Sequence, residues 1–329
     1  TWADHASGGR DWARTWAEVG RFDRAGEAWS RALELAPGHV ASRLALGRAL
    51  LVQALLVQEV RVAAGVGAAS RRGQALCARA AAALALALAG EMPEDSAAEV
   101  DLARAFLAGA RDDWATAASL AADGAERYRT QPAEEDFLWF LGLASISVGD
   151  PARGRVACDR ALAIRPVHPM ATFVRGMNRF LQSDDAGAIE DLGRTIELWP
   201  EFAPAWFHRA IARDDAGDDA GALEDLAAAR RLAGPDPRVH DLAARILLAA
   251  GRKNEAMAEL DRALELDPEH FVTWWIRALA FEEAGDVGAA RDALERALSI
   301  APDFALALSA RGRLRFVAGA VAGAIDDLD

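Results

Sequence analysis

The sequence predicts an all-α fold, a stack of antiparallel helix hairpins, and three regularities predict it. From Glu135 to Asp329 a proline or its stand-in returns every 34 residues, at Pro166, Pro200, Gly234 with Pro235, Pro268 and Pro302. In the same frame an alanine falls at Ala188, Ala222, Ala256, Ala290 and Ala324. A glycine falls at Gly217, Gly251, Gly285 and Gly319. A fixed period of this length marks a helical repeat array, whose units bury their apolar sides only by stacking.

One unit, numbered from position 1 at Ala203, shows why each element forms. Apolar or small residues at positions 4, 8 and often 11 make the stripe of a first helix, as in Trp206 and Ala210 or Trp274, Ala278 and Phe281. Ala216-Gly217-Asp218, Ala250-Gly251-Arg252 and Ala284-Gly285-Asp286 then form turns. Glycine accepts the left-handed backbone that ends a helix, and Asp caps the next one. The second helix carries small residues at positions 20 and 27 (Ala222/Ala229, Ala256/Ala263, Ala290/Ala297), with Leu226, Leu260 and Leu294 between them. Alanines on that stripe let two helices approach closely. Proline at position 32 ends the helix.

These residues carry a family resemblance. Trp274, Ala278, Phe281, Ala290, Leu294, Ala297 and Pro302 are similar to the signature of the tetratricopeptide repeat, in arrays of the bacterial type. The resemblance implies an α-solenoid with a right-handed superhelix, about eight repeats plus a partial one. One departure stands out: position 7 holds Arg175, Arg209, Arg277 and Arg311 where the family usually has leucine, and position 23 holds Asp191, Asp225 and Asp327. The expected ion pairs are Arg175–Asp191, Arg209–Asp225 and Arg311–Asp327.

In chain order, the frame predicts a single solenoid over 1–329 with repeats near 6–39, 40–97, 98–134, 135–168, 169–202, 203–236, 237–270, 271–304 and a partial one at 305–329. The 40–97 region is expanded, because the sequence runs on through Ala54–Val62 where a turn is due. It reads as two overlong helices, or as a normal repeat plus one extra helix. The 98–134 unit is divergent, keeping Asp113-Trp114 at its turn but delaying its proline to Pro132. The last unit stops within its second helix, so the expectation is either that the chain continues beyond Asp329 or that another chain docks at that end.

Composition narrows the function. A net charge of -13 and a pI near 5.0 argue against nucleic acid or an anionic membrane as main partner. The longest uncharged runs fall short of the roughly 20 residues a membrane-spanning helix needs, and the default location is the cytoplasm. Cys77 and Cys158 are the only cysteines, and Cys158 takes a core leucine position, which points to a buried thiol. His39, His168 and His270 share position 34 and read as turn residues, while His240 stands where neighbouring units have tryptophan and reads as packed. His208 is left open to a ligand contact. Nucleotide-loop and metal motifs are absent, so no cofactor or metal is expected. Paired acids such as Asp214-Asp215 and Asp218-Asp219 read as turn residues rather than as a hydrolytic pair.

The resemblance further implies that positions 2, 5, 6, 9, 12 and 13 of the first helices face a concave groove. The expected partner-binding residues there are Trp139, Phe140, Leu143, Phe173, Met177, Phe180, Phe207, His208, Ile211 and Trp275. Leu181 and Leu279 belong to the same set, with charges at Asp214, Arg238, Asp241, Arg245 and Glu282 toward the C-terminal side. The competing reading is that these side chains pack against neighbouring first helices. The expectation is a non-enzymatic scaffold for a protein or peptide with apolar anchors. Beside it stand a regulatory or substrate-recruiting arm of a larger enzyme and a structural subunit of a multiprotein assembly.

Overall fold

The computed structural model describes residues 97–131 and 133–327, with Ser30, Leu46, Leu50, Ala78, Ala81, Ala82 and Ala85. The hairpin expected at 6–39 and nearly all of the expanded 40–97 region lie outside the described residues. Helices α1 (Ala97–Ala110) to α7 follow as α2 (Trp114–Arg127), α3 (Glu134–Ser147), α4 (Pro151–Ile164), α5 (Pro169–Phe180), α6 (Asp185–Leu198) and α7 (Ala203–Asp215). Then come α8 (Asp219–Ala233), α9 (Pro237–Ala249), α10 (Lys253–Leu266), α11 (Phe271–Glu283), α12 (Val287–Ile300), α13 (Ala305–Val317) and α14 (Val321–Asp326). Among the described residues there is no strand. The fold is an α-solenoid of helix hairpins, and the described residues fall into two compact units that divide between Ala212 and Arg213.

Hairpins close where backbone chemistry dictates. Asp113, Asp150, Asp184, Asp218 and Asp286 each accept a backbone N–H in the first turn of the helix they precede. Gly149, Gly217, Gly251, Gly285 and Gly319 take φ between +73° and +80° to end the first helices. The α1–α2 and α5–α6 turns have no glycine there, and Asp112 and Ser183 hold positive φ instead.

Within each unit α1/α2, α3/α4, α5/α6, α9/α10, α11/α12 and α13/α14 pack as hairpins, and first helices also touch first helices, α3 on α5 and α9 on α11. The periodic alanines are what permits this: Ala188, Ala222, Ala256 and Ala290 have no exposed surface. Leu192, Leu260 and Leu294 fill the space between them. Cys158 is fully buried at the corresponding leucine position, and burial pushes its thiol up, away from the reactive thiolate.

Arg175 and Arg311, both at position 7, pair with the expected acids across their hairpins. Arg175 donates to both oxygens of Asp191, at 2.8 and 2.6 Å, and Arg311 grips Asp327 in the same two-pronged way. A second arginine, four residues on, completes the arrangement. Arg179, Arg213 and Arg315 stand 2.9–3.1 Å from Asp191, Asp225 and Asp327 and donate to the carbonyls of Gly187, Gly221 and Gly323. The acids are almost fully buried, so each is matched by cations rather than by water. Position 7 also ties hairpin to hairpin, since Arg175 reaches Asp159 and Arg277 reaches Asp261 on the preceding second helix. Trp206 and Trp274 repeat a further link, donating to the carbonyls of Pro200 and Pro268 while Arg209 and Arg277 lie over their rings.

Unfolding measurements on four variants check this account. Asp191→Ala removes the buried acid that Arg175 and Arg179 share and is expected to cost about 3–5 kcal/mol, whereas Asp261→Ala, at an exposed pair, costs about 0–1 kcal/mol. A Cβ at Gly124 would fall on the fully buried Phe137 ring, so Gly124→Ala is expected to lose about 1–3 kcal/mol. Gly193, within α6, has its nearest neighbour at an ordinary 3.5 Å. Gly193→Ala therefore gains up to about 1 kcal/mol from helix propensity alone, read as a raised urea midpoint.

Candidate partner-binding face

The first-helix face is where the sequence placed partner contacts, and the structure uses most of it for its own packing. Trp139, Phe140, Leu143, Phe173, Met177, Phe207 and His208 are all buried. Little of these side chains is left open on the described face. The cause is twofold. Phe106 of α1 stacks on Phe140 with ring centroids 4.1 Å apart and meets Trp139 edge-on at 5.9 Å. The residue at position 34, ahead of the next first helix, folds over position 5: Phe202 lies 5.0 Å from Phe173, and Phe304 lies 5.8 Å from Trp275. His208 packs between Phe173 and Phe207, 5.6 Å from each ring, which makes it part of an aromatic joint.

What remains half-open is smaller. Phe180, Leu181 and Ile211 in the first unit and Trp275 and Leu279 in the second are each partly exposed. Phe180 and Leu181 sit against the core of their unit, and Trp275 bridges two core clusters of its own. Among the ten expected contacts, Phe180, Ile211 and Trp275 are the ones that still offer surface. Sequence reasoning misses the covering role of Phe202 and Phe304, although both stand at the position already marked by His168 and His270.

Charge gathers on the second unit's first helices. Asp236 caps α9 and holds Arg238 through both carboxylate oxygens. Burial opposes the charge on Asp236, yet those bonds keep its carboxyl below the usual range. Asp241 takes position 5 in place of an aromatic ring, and its position-34 neighbour is correspondingly polar. Thr273 donates to Asp241 at 2.7 Å, while His270 Nδ1 stands 3.0 Å from the other carboxylate oxygen and 2.9 Å from the Thr273 hydroxyl. His240, expected to pack, is buried and 2.6 Å from Glu259. Arg245 is half-exposed and 3.9 Å from Asp214, whose carboxyl is raised by burial. Arg313 grips Glu282 with two bonds. These groups are spent on one another, and among the described residues no group of three or more His, Cys, Asp or Glu side chains is arranged to hold a metal ion. Among them, too, no helix is long and apolar enough to cross a membrane.

Stacked hairpins with a small-residue seam and a position-34 cover define a helical-repeat fold. The sequence profile described as tetratricopeptide repeat matches residues 10–64, 242–303 and 277–329. Its hairpins are similar to those of a tetratricopeptide repeat protein from Parabacteroides merdae ATCC 43184, with a TM-score of 0.61 at 15% identity over 70% of this chain and 90% of that one. TTC0263 from Thermus thermophilus is 19% identical over 56% of this chain and 99% of its own, with a TM-score of 0.47. In sequence, 81 residues are 35% identical to DnaJ homolog subfamily C member 3 of Rattus norvegicus, covering 25% of this chain and only 16% of that protein.

His168 makes the start of α5 pH-sensitive. Its Nδ1 accepts the Ala171 N–H at 3.1 Å to cap α5, and burial lowers the imidazole to about 4, with Arg165 adding to the effect. The unfolded chain takes up that proton near pH 6.5, whereas the folded chain refuses it until about pH 4. Stability is therefore full above pH 6.5 and falls as pH drops toward 4, by roughly 3 kcal/mol. In urea titrations across that range His168→Asn, which keeps a capping oxygen without a titrating ring, is expected to flatten the decline.

Proposed function

We infer that the chain is a non-enzymatic scaffold holding a protein partner, which docks through apolar anchors onto the parts of the first-helix faces that packing leaves open. The observation that carries this is the set of half-open apolar side chains, Phe180, Leu181 and Ile211 in one unit and Trp275 and Leu279 in the other. Cys158, the described nucleophile with the greatest intrinsic reactivity, is sealed in the core, which further favours a scaffold over an enzyme.

Magnitudes set the kind of binding. A fully buried apolar side chain contributes roughly 1.5–3 kcal/mol, and these five have already buried part of their surface. Association costs about 4–15 kcal/mol. Two or three anchors therefore give weak, reversible binding, and useful affinity requires a segment that engages several of them. A helix or extended peptide with spaced apolar residues fits that requirement better than an acidic tail does.

The test is a peptide-display selection on the full chain, followed by titration of the selected peptides. Recovered peptides are expected to carry apolar anchors. Ile211→Asp or Trp275→Ala is expected to weaken them by about 2 kcal/mol, near thirtyfold, with helical circular dichroism unchanged. Wild-type affinity in both variants, or peptides without apolar anchors, would count against the reading.

A further inference from the structure

On α11 the open side chains form one stripe. Trp275 and Leu279 lie a helical turn apart, and Glu282 and Glu283 occupy the next turn on the same side. Thr273, Ile276, Ala278 and Ala280, on the packed sides, are buried. The stripe thus runs from an apolar ledge into two carboxylates at the C-terminal end of its helix. That end carries the negative pole of the helix dipole, which favours cations and disfavours acids. Among the described first helices, α5, α7 and α13 have an arginine in the last turn. Helices α1, α3 and α9 have no acid there, and α11 alone has acids without a base.

Neighbouring charges leave an excess of acid. Glu282, Glu283 and the cap Asp286 are three carboxylates against two cations, Arg313, which grips Glu282, and Lys253, which donates to the Glu283 carbonyl. Arg245, on the adjacent α9, approaches Asp214 at 3.9 Å. The whole chain carries a net charge of -13, so its field draws cationic segments and repels acidic ones.

We propose that the segment held on the Trp275–Leu279 ledge is cationic and amphipathic. Its apolar residues cover the ledge, and a Lys or Arg one turn further on meets Glu282 and Glu283. This assignment depends on the apolar docking inferred above and adds the sign of the partner's charge. Trp275 and Leu279 anchor, while the two acids select among apolar segments. Exposed charge pairs contribute little each, so the selection amounts to about threefold to tenfold at low salt and fades as salt is added.

Fluorescence anisotropy on the full chain tests this with three synthetic helical peptides. They share leucine anchors one turn apart and differ only in flanking residues: lysine, glutamine or glutamate. The lysine peptide is expected to bind about threefold to tenfold more tightly than the glutamine peptide, with the glutamate peptide weakest. Trp275→Ala should weaken all of them alike. Glu282→Gln with Glu283→Gln should erase the order without weakening the glutamine peptide. Asp292→Asn with Glu295→Gln, which removes the same charge from exposed positions on α12, should preserve it. Equal binding of the three peptides, or an order that the α12 substitutions erase as fully, would overturn the proposal and leave apolar docking standing. Binding by none of them, or binding indifferent to Trp275→Ala, would remove both.

Discussion

Phe202 folded over Phe173, with ring centroids 5.0 Å apart, is the contact on which the rest of the arrangement depends. A two-helix hairpin has more apolar surface than its own two helices can cover. The next hairpin supplies the missing cover through its first helix and through the residue that leads into it. Phe304 over Trp275 repeats the device, and His270 beside Asp241 performs it with polar groups. Because position 5 is used in this way, a face that would otherwise be open is largely closed from within.

The same constraint explains where polar chemistry is found. Close approach of the helices leaves no water for Asp191, Asp225 or Asp327, so each is met by arginine from the facing helix. The carbonyls of Gly187, Gly221 and Gly323 accept from the second arginine of each set, which links the ion pair to the start of the second helix. These clusters tie the two helices of a hairpin together. What packing does not consume is a few half-open apolar side chains.

Much of this was legible in the residues themselves. The 34-residue period, the turn glycines, the capping aspartates and the seam of alanines act over one or two helical turns, and each leaves a local mark in sequence. The pairing of Arg175 with Asp191 and of Arg311 with Asp327 was equally readable, since a repeat makes the facing positions known. Even His168 and His270 were recognisable as junction residues from their shared place in the frame.

What the sequence could not decide was which apolar side chains would be spent. Phe173 and Phe180 are the same residue type on the same helix, yet one has no exposed surface and the other is half-open. The difference is set by Phe202 and His208, residues that reach Phe173 only after the hairpins stack. Local periodicity fixes which way a side chain faces relative to its own helix, and so determines the fold. Exposure depends on surface contributed by residues some thirty positions away, and that was decided by tertiary packing alone.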